Sequence, residues 1–206
     1  MKKLQEKILN YFRKNSKETT LSKIDSFIFK EKEQEDYYYF KKCVKGIFNV
    51  SRIVNGKKEK FTIITETTEW FDFKIRILDS NNVVINNIDI SATIRPIDAK
   101  SFYLHFIDIK SQNPKYKGYG FGRLMMEAMF YTIDYFANHG KNDNDKLSFL
   151  YVKGTLGVGA SYTPEKSIKL YNSFENFCFN NCIIHVKKEY LNIYDKEIFF
   201  EIVDNC

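Results

Sequence analysis

Along the first 55 residues, apolar side chains recur three or four positions apart. The series are Leu4, Ile8 and Tyr11/Phe12; Leu21, Ile24 and Phe27/Ile28; and Tyr37, Phe40, Val44 and Phe48. That spacing follows the 3.6-residue turn, so residues 1–55 are expected to form helices whose apolar stripes face a core. The intervening charges alternate in sign (Lys17-Glu18, Glu31-Lys32-Glu33), which argues against a basic helix lying on a membrane.

After Asn55-Gly56, a turn signal, the period shortens. Phe71, Phe73, Ile75 and Ile77 alternate with polar residues, the pattern of a half-buried strand. Further runs lie at Phe61–Thr65, Val83–Ile94 and Phe102–Ile109; Asp79–Asn82 is a polar connection, and Pro96 ends the third run. An antiparallel meander of three or four strands over 56–110 is expected.

Helical spacing returns past Gly122, with Met125, Ala128, Met129, Thr132 and Phe136 on one face and Gly140 as the stop. Leu147–Val152 reads as a short strand and Gly154–Gly159 as a glycine-rich link. Thr163-Pro164 resembles an N-cap followed by Pro at the first helical position. The helix it opens carries Ile168, Tyr171, Phe174 and Cys178 on one side, and strands follow near Ile183–Val186 and Glu197–Val203. The chain is therefore expected to be one α+β domain over 1–206, with a central mixed, mostly antiparallel sheet flanked by helices. Its N-terminal part, 1–55, is expected to be helical.

Composition changes this picture little. Apolar residues make up 44% and charged residues 28% of 206, an ordinary globular balance. The net charge of +6 is spread evenly, which argues against a nucleic-acid role and leaves positive charge for a small polyanion. Four Cys (43, 178, 182, 206) form no Cys-x-x-Cys pair, and His105, His139 and His185 stand apart, so no metal site is expected. Free thiols, a charged N-terminus without an apolar core and the lack of a long apolar run point to a cytoplasmic, non-membrane protein.

The stretch that carries chemistry is Lys115 to Met126, where Gly118, Gly120 and Gly122 alternate between a strand and an amphipathic helix. Glycine lets main-chain N–H groups approach a ligand closely, and the first helical turn adds unpaired donors and partial positive charge. Together they suit a diphosphate, with Lys117 and Arg123 adding charge at the rim. The spacing is neither a P-loop nor the dinucleotide Gly-x-Gly-x-x-Gly.

Lys117-Gly-Tyr-Gly-Phe-Gly122 resembles the Arg/Gln-x-x-Gly-x-Gly/Ala signature of the Gcn5-related N-acetyltransferases (GNAT), with Lys at the Arg/Gln position. Ser167–Phe179 resembles that superfamily's Ala-x-x-Leu-Tyr-x-x-x-Gly-Phe helix, with Cys178-Phe179 at the Gly-Phe ending. The resemblance covers about 60–206 and implies an acetyl-CoA-binding core over 56–206. By that resemblance, the segment from Lys117 through Gly118, Tyr119, Gly120, Phe121 and Gly122 to Arg123 holds the diphosphate. The preceding strand end, Ile109, Lys110, Ser111 and Gln112, pairs with the pantetheine arm. Tyr171 would protonate the leaving thiolate; the other reading makes it a core tyrosine beside Ile168 and Phe174. For the base that activates an amine, Asp108, His105 and an ordered water stay open. On a regular strand Asp108 shares a face with Phe106 and His105 faces the other way.

The implied activity is acetyl transfer from acetyl-CoA to a primary amine, and a homodimer is compatible with it. Two alternatives keep the fold: a coenzyme A-binding or regulatory module without turnover, and an RNA-associated acetyltransferase. The family opens with a strand before its helices, whereas helices are expected first here.

Overall fold

The computed structural model describes residues 24–33, 42–67, 72–85, 89–96, 101–110, 114–138, 148–155, 164–179, 182–190 and 196–204. The strands are β1 (Ser26–Glu33), β2 (Lys42–Val54), β3 (Lys57–Thr67), β4 (Asp72–Leu78), β5 (Asp89–Pro96), β6 (Ser101–Lys110), β7 (Ser148–Thr155), β8 (Phe177–Phe179), β9 (Cys182–Tyr190) and β10 (Lys196–Asp204). A short 3-10 turn, Pro114–Tyr116, precedes helix α1 (Phe121–Asn138), and α2 is Pro164–Asn172. The class is α+β. The described strands form one 10-stranded sheet in the order β1-β2-β3-β4-β5-β6-β7-β10-β9-β8, antiparallel except for the parallel pair β6·β7.

The expected meander over 56–110 is present as β3 to β6, each paired antiparallel with the next. Phe73, Ile75 and Ile77 fill the inner face of β4, as their alternation requires. Asn55 and Gly56 carry φ of 50° and 76°, the left-handed pair of a tight hairpin turn. The Asp79 connection closes through its carboxylate, which accepts from the amides of Asn81 and Val83 at 2.9 and 3.0 Å.

The expected N-terminal helices are corrected where the chain is described. Residues 26–33 and 42–54 are strands that extend the meander at its far end. Val44 and Phe48 lie four apart, and four is close to one helical turn but also an even step along a strand. The full series Val44, Gly46, Phe48, Val50, Arg52, Val54 is buried at every second position, which only the two-residue period explains. Leu4 through Leu21, Tyr37 and Phe40 lie outside the described residues.

Helix α1 was expected to bury one face. Instead residues 124–130 are buried without interruption, because Leu124, Met126 and Phe130 join Met125, Ala128 and Met129 in the core. The sheet explains this. α1 packs on β2 and β3 and also on β7. With strands about 4.8 Å apart, β3 and β7 would lie about 19 Å apart in a flat sheet. Helix α1 has 18 residues and so is about 27 Å long, enough to cross that span and meet strands at several points along its length. At Gly46 an added Cβ would collide with Thr65 Oγ1 and sit 2.9 Å from Thr132 Oγ1 of α1. Those two hydroxyls share a hydrogen bond of 2.7 Å, and Thr132 also donates to the Ala128 carbonyl.

At the other end, α2 stops at Asn172, well short of the expected helix through Phe179. Asn176 turns left-handed at φ 59°, and Phe177–Phe179 is the short strand β8. Cys178 is therefore exposed on a strand rather than aligned on a helical face. The strands expected near 183–186 and 197–203 are β9 and β10. Gly140, Thr163 and the link beyond Thr155 lie outside the described residues.

Candidate functional site

The glycine turn joins the end of β6 to the start of α1. Aromatic side chains anchor it from below. Tyr116 and Phe121 are buried and meet Phe61 of β3 edge-on, at 5.6 and 4.7 Å between ring centres. The aromatic of the turn that could have plugged its outer side, Phe121, therefore points into the core. Tyr119 is drawn aside to the β2–β3 turn. Its hydroxyl donates to Asn55 Oδ1 at 2.9 Å and accepts from the Asn55 amide at 3.3 Å. Gly118 and Gly120 have φ of 88° and 77°, and an added Cβ at Gly118 would meet nothing within 4 Å. Gly118 thus serves backbone conformation, not close packing.

The Tyr119 carbonyl points inward, where it accepts from Arg52 Nε at 3.1 Å. Cis peptide bonds are absent among the described residues. A trans peptide carries its C=O and N–H on opposite sides, so the Gly120 amide points outward. The Gly120 carbonyl accepts from Leu124 N at 3.2 Å, the first helical bond of α1. Among the described residues the amides of Gly120, Phe121, Gly122 and Arg123 find no acceptor. Four adjacent donors at a helix start make an anion site.

The two expected rim cations differ. Lys117 is exposed. Arg123 is turned sideways: its Nε donates to Glu127 Oε1 at 2.8 Å, and its Nη1 donates to the Ser173 carbonyl and hydroxyl at 2.8 and 2.6 Å. Its guanidinium lies 4.5 Å over the Phe174 ring. Arg123 therefore bolts α1 to the segment after α2. Burial raises the Glu127 carboxyl above its ordinary range, although Arg123 and Arg52 pull it down.

On β6, Asp108, Ile109 and Lys110 stand opposite Ser91, Ile90 and Asp89 of β5; Ser111 and Gln112 lie outside the described residues. On its other side β6 runs with β7 as far as Phe106↔Gly154. Among the described residues no pairing joins Ile107–Lys110 to β7.

A bulge interrupts the register of β6. Phe106 pairs with Ala92 and Asp108 with Ser91, leaving Ile107 as the extra residue. His105 stands opposite Thr93.

Tyr171 sits on the inner side of α2, 3% exposed, with Phe174 also buried and Ile168 partly so. The left-handed residue that ends this helical segment is Asn176, followed by Phe177, two positions before the Cys178-Phe179 pair that the sequence suggested. Arg52 and Asn55 were missed by the sequence reading, because both fell in a segment read as helix and turn. The signal was there: Arg52 occupies an apolar slot in the alternating β2 series.

Searches among protein-family models, curated proteins and solved structures return no match to this chain. Among the described residues no group of three or more His, Cys, Asp and Glu could hold a metal, and no helix is long and apolar enough to cross a membrane.

Proposed function

We propose that this protein is an acetyl-CoA-dependent N-acetyltransferase of the GNAT type, acting on a primary amine. The observation that carries the reading is the row of adjacent amides from Gly120 to Arg123 that find no acceptor among the described residues, with Phe121 and Tyr119 both drawn away from the turn. The diphosphate of coenzyme A would accept from these amides, with Lys117 beside it. Each oriented donor adds about 0.5–1.5 kcal/mol, so several together suit a micromolar cofactor.

The order of elements supports the same reading: strand, glycine turn, helix, parallel strand, helix, then antiparallel strands. The β6 end, unpaired with β7 among the described residues, would give a pantetheine arm a strand to pair with, from Ile107 through Lys110, with Ser111 and Gln112 following in sequence. The acetyl group would then lie near the bulge at Ile107, on the strand that carries His105 and Asp108.

Chemistry there is acyl transfer. The neutral amine nitrogen attacks the thioester carbonyl, the C–S bond breaks and the thiolate takes a proton. Holding the two reactants in contact supplies most of the acceleration, with a main-chain N–H polarising the carbonyl oxygen. Asp108 is the proposed acceptor of the amine proton, directly or through water, and Tyr171 the proposed donor to sulfur.

The burial of Tyr171 favours one second reading, a coenzyme A-binding module without turnover, in which this tyrosine only packs. Thiol release from acetyl-CoA across a panel of amines decides between them. Release that depends on the amine supports the enzyme. Tight coenzyme A binding without release supports the module. Absence of binding removes both.

A further inference from the structure

Arg52 is an anomaly of composition in the core. The inner slots of β2 hold Val44, Gly46, Phe48, Val50 and Val54, and among them stands a guanidinium that is 4% exposed. Burial pushes it below its ordinary pKa, with Glu127 and Asp25 acting in the opposite direction. Its Nη2 is buried without a partner among the described residues. An apolar side chain would occupy the slot at lower cost, since a buried donor left unpaired carries a desolvation penalty.

Arg52 acts locally on one peptide group. Nη1 donates to the carbonyl of its own neighbour Ser51 at 3.2 Å, and Nε donates to the Tyr119 carbonyl at 3.1 Å. That carbonyl belongs to the peptide between Tyr119 and Gly120, and glycines at 118 and 120 flank the residue. Glycines on both sides let such a peptide turn over at small cost. Turned over, it would present a carbonyl to the anion site and aim the Gly120 amide at the core. The second tie, Tyr119 to Asn55, holds the side chain and not the peptide.

We infer that Arg52 is a positioning residue for diphosphate binding: by holding the Tyr119 carbonyl inward it keeps the Gly120 amide facing the ligand. The inference rests on the coenzyme A reading above. It extends the site from the glycine turn to the β2–β3 hairpin, with Arg52 acting through the Tyr119–Gly120 peptide.

The test compares coenzyme A with pantetheine, which lacks the diphosphate, on the full chain. Arg52→Met keeps the buried stem and removes the donor; Arg52→Lys restores one donor. With Arg52→Met, coenzyme A is expected to bind about tenfold more weakly, the worth of one oriented hydrogen bond. Pantetheine affinity should stay unchanged, and Arg52→Lys should recover part of the loss. Equal weakening of both ligands, or no weakening of either, overturns the inference and leaves the coenzyme A reading in place. Should Arg52→Met fail to fold, Arg52→Lys is compared with the wild type alone: its single donor should leave coenzyme A a few-fold weaker with pantetheine unchanged. No selective effect there overturns the inference as well. A wild-type protein that binds no coenzyme A removes the parent reading and this inference with it.

Discussion

Arg52 Nε donates to the carbonyl oxygen of Tyr119 across 67 positions of sequence, tying the inner face of β2 to the glycine turn before α1. The bond sets which way one peptide faces, and that direction is what the proposed cofactor site needs. Because Arg52 is buried and only partly satisfied, its net contribution to stability is modest. Arg52→Met is expected to lower the unfolding free energy by about 1–2 kcal/mol in urea titrations, because it removes an unpartnered buried donor but also the bonds to the Ser51 and Tyr119 carbonyls. A loss of several kcal/mol would make Arg52 a structural residue.

Arg123 behaves differently, because its partners are specific and its charge is used. It bonds Glu127 and Ser173 and covers Phe174. Arg123→Ala leaves the Glu127 carboxylate without its closest partner and should cost about 3 kcal/mol. Arg123→Lys should cost about 1 kcal/mol, because a single ammonium cannot reproduce the fork. Chemical denaturation of the three proteins measures both.

Gly46 lies on the face of β2 that meets α1. A methyl group there would collide with Thr65 Oγ1 and meet the Phe48 ring at 2.7 Å and Thr132 Oγ1 at 2.9 Å. Gly46→Ala should therefore destabilise by about 1–3 kcal/mol through overpacking. Pairing it with Thr65→Ala should return part of that loss, as read from thermal midpoints.

Two carboxylates give stability opposite slopes with pH. Burial raises Glu127, against the pull of Arg123. Between its unfolded and raised folded values the native state holds more protons, so stability falls as pH rises through that window. Glu127→Gln should remove that fall. Burial would also raise Glu66, but its hydrogen bond to Lys45 and the charges of Lys45 and Arg76 together bring it below the ordinary range. Its contribution is present above the unfolded value and is lost as pH falls through the folded one. Unfolding titrations at several pH values, with Glu127→Gln and Glu66→Gln alongside, separate the two.

Tyr171 divides catalysis from packing. If its phenol protonates the departing thiolate, Tyr171→Phe should lower kcat about 100-fold with KM nearly unchanged. A rate equal to wild type, with only the thermal midpoint moved, assigns Tyr171 to packing.

How much of this was legible from the sequence depends on how distinct the two periods are in each segment. Phe71, Phe73, Ile75 and Ile77 step by two, which no helix satisfies, and β4 lies there. Val44 and Phe48 step by four, which fits both periods, and there the helical reading was overturned. Gly46 and Arg52 hid the alternation, since neither counts as apolar although both are buried. The glycine turn was legible because φ above zero leaves a compositional mark at Gly118 and Gly120. The β6 bulge left none. It is a property of pairing between Ser91-Ala92 and Phe106–Asp108, and no residue type marks it. The contact of α1 with β2, β3 and β7 is likewise a relation between distant strands, visible in sequence only as a helix apolar on too many sides.

The most direct measurement is calorimetric titration of coenzyme A into the wild-type protein and into Gly120→Val, with thermal midpoints recorded for both. Main-chain donation from Gly120 to Arg123 predicts micromolar binding to the wild type and none to a folded Gly120→Val. Equal affinity in the two proteins, or no binding to the wild type, would contradict it.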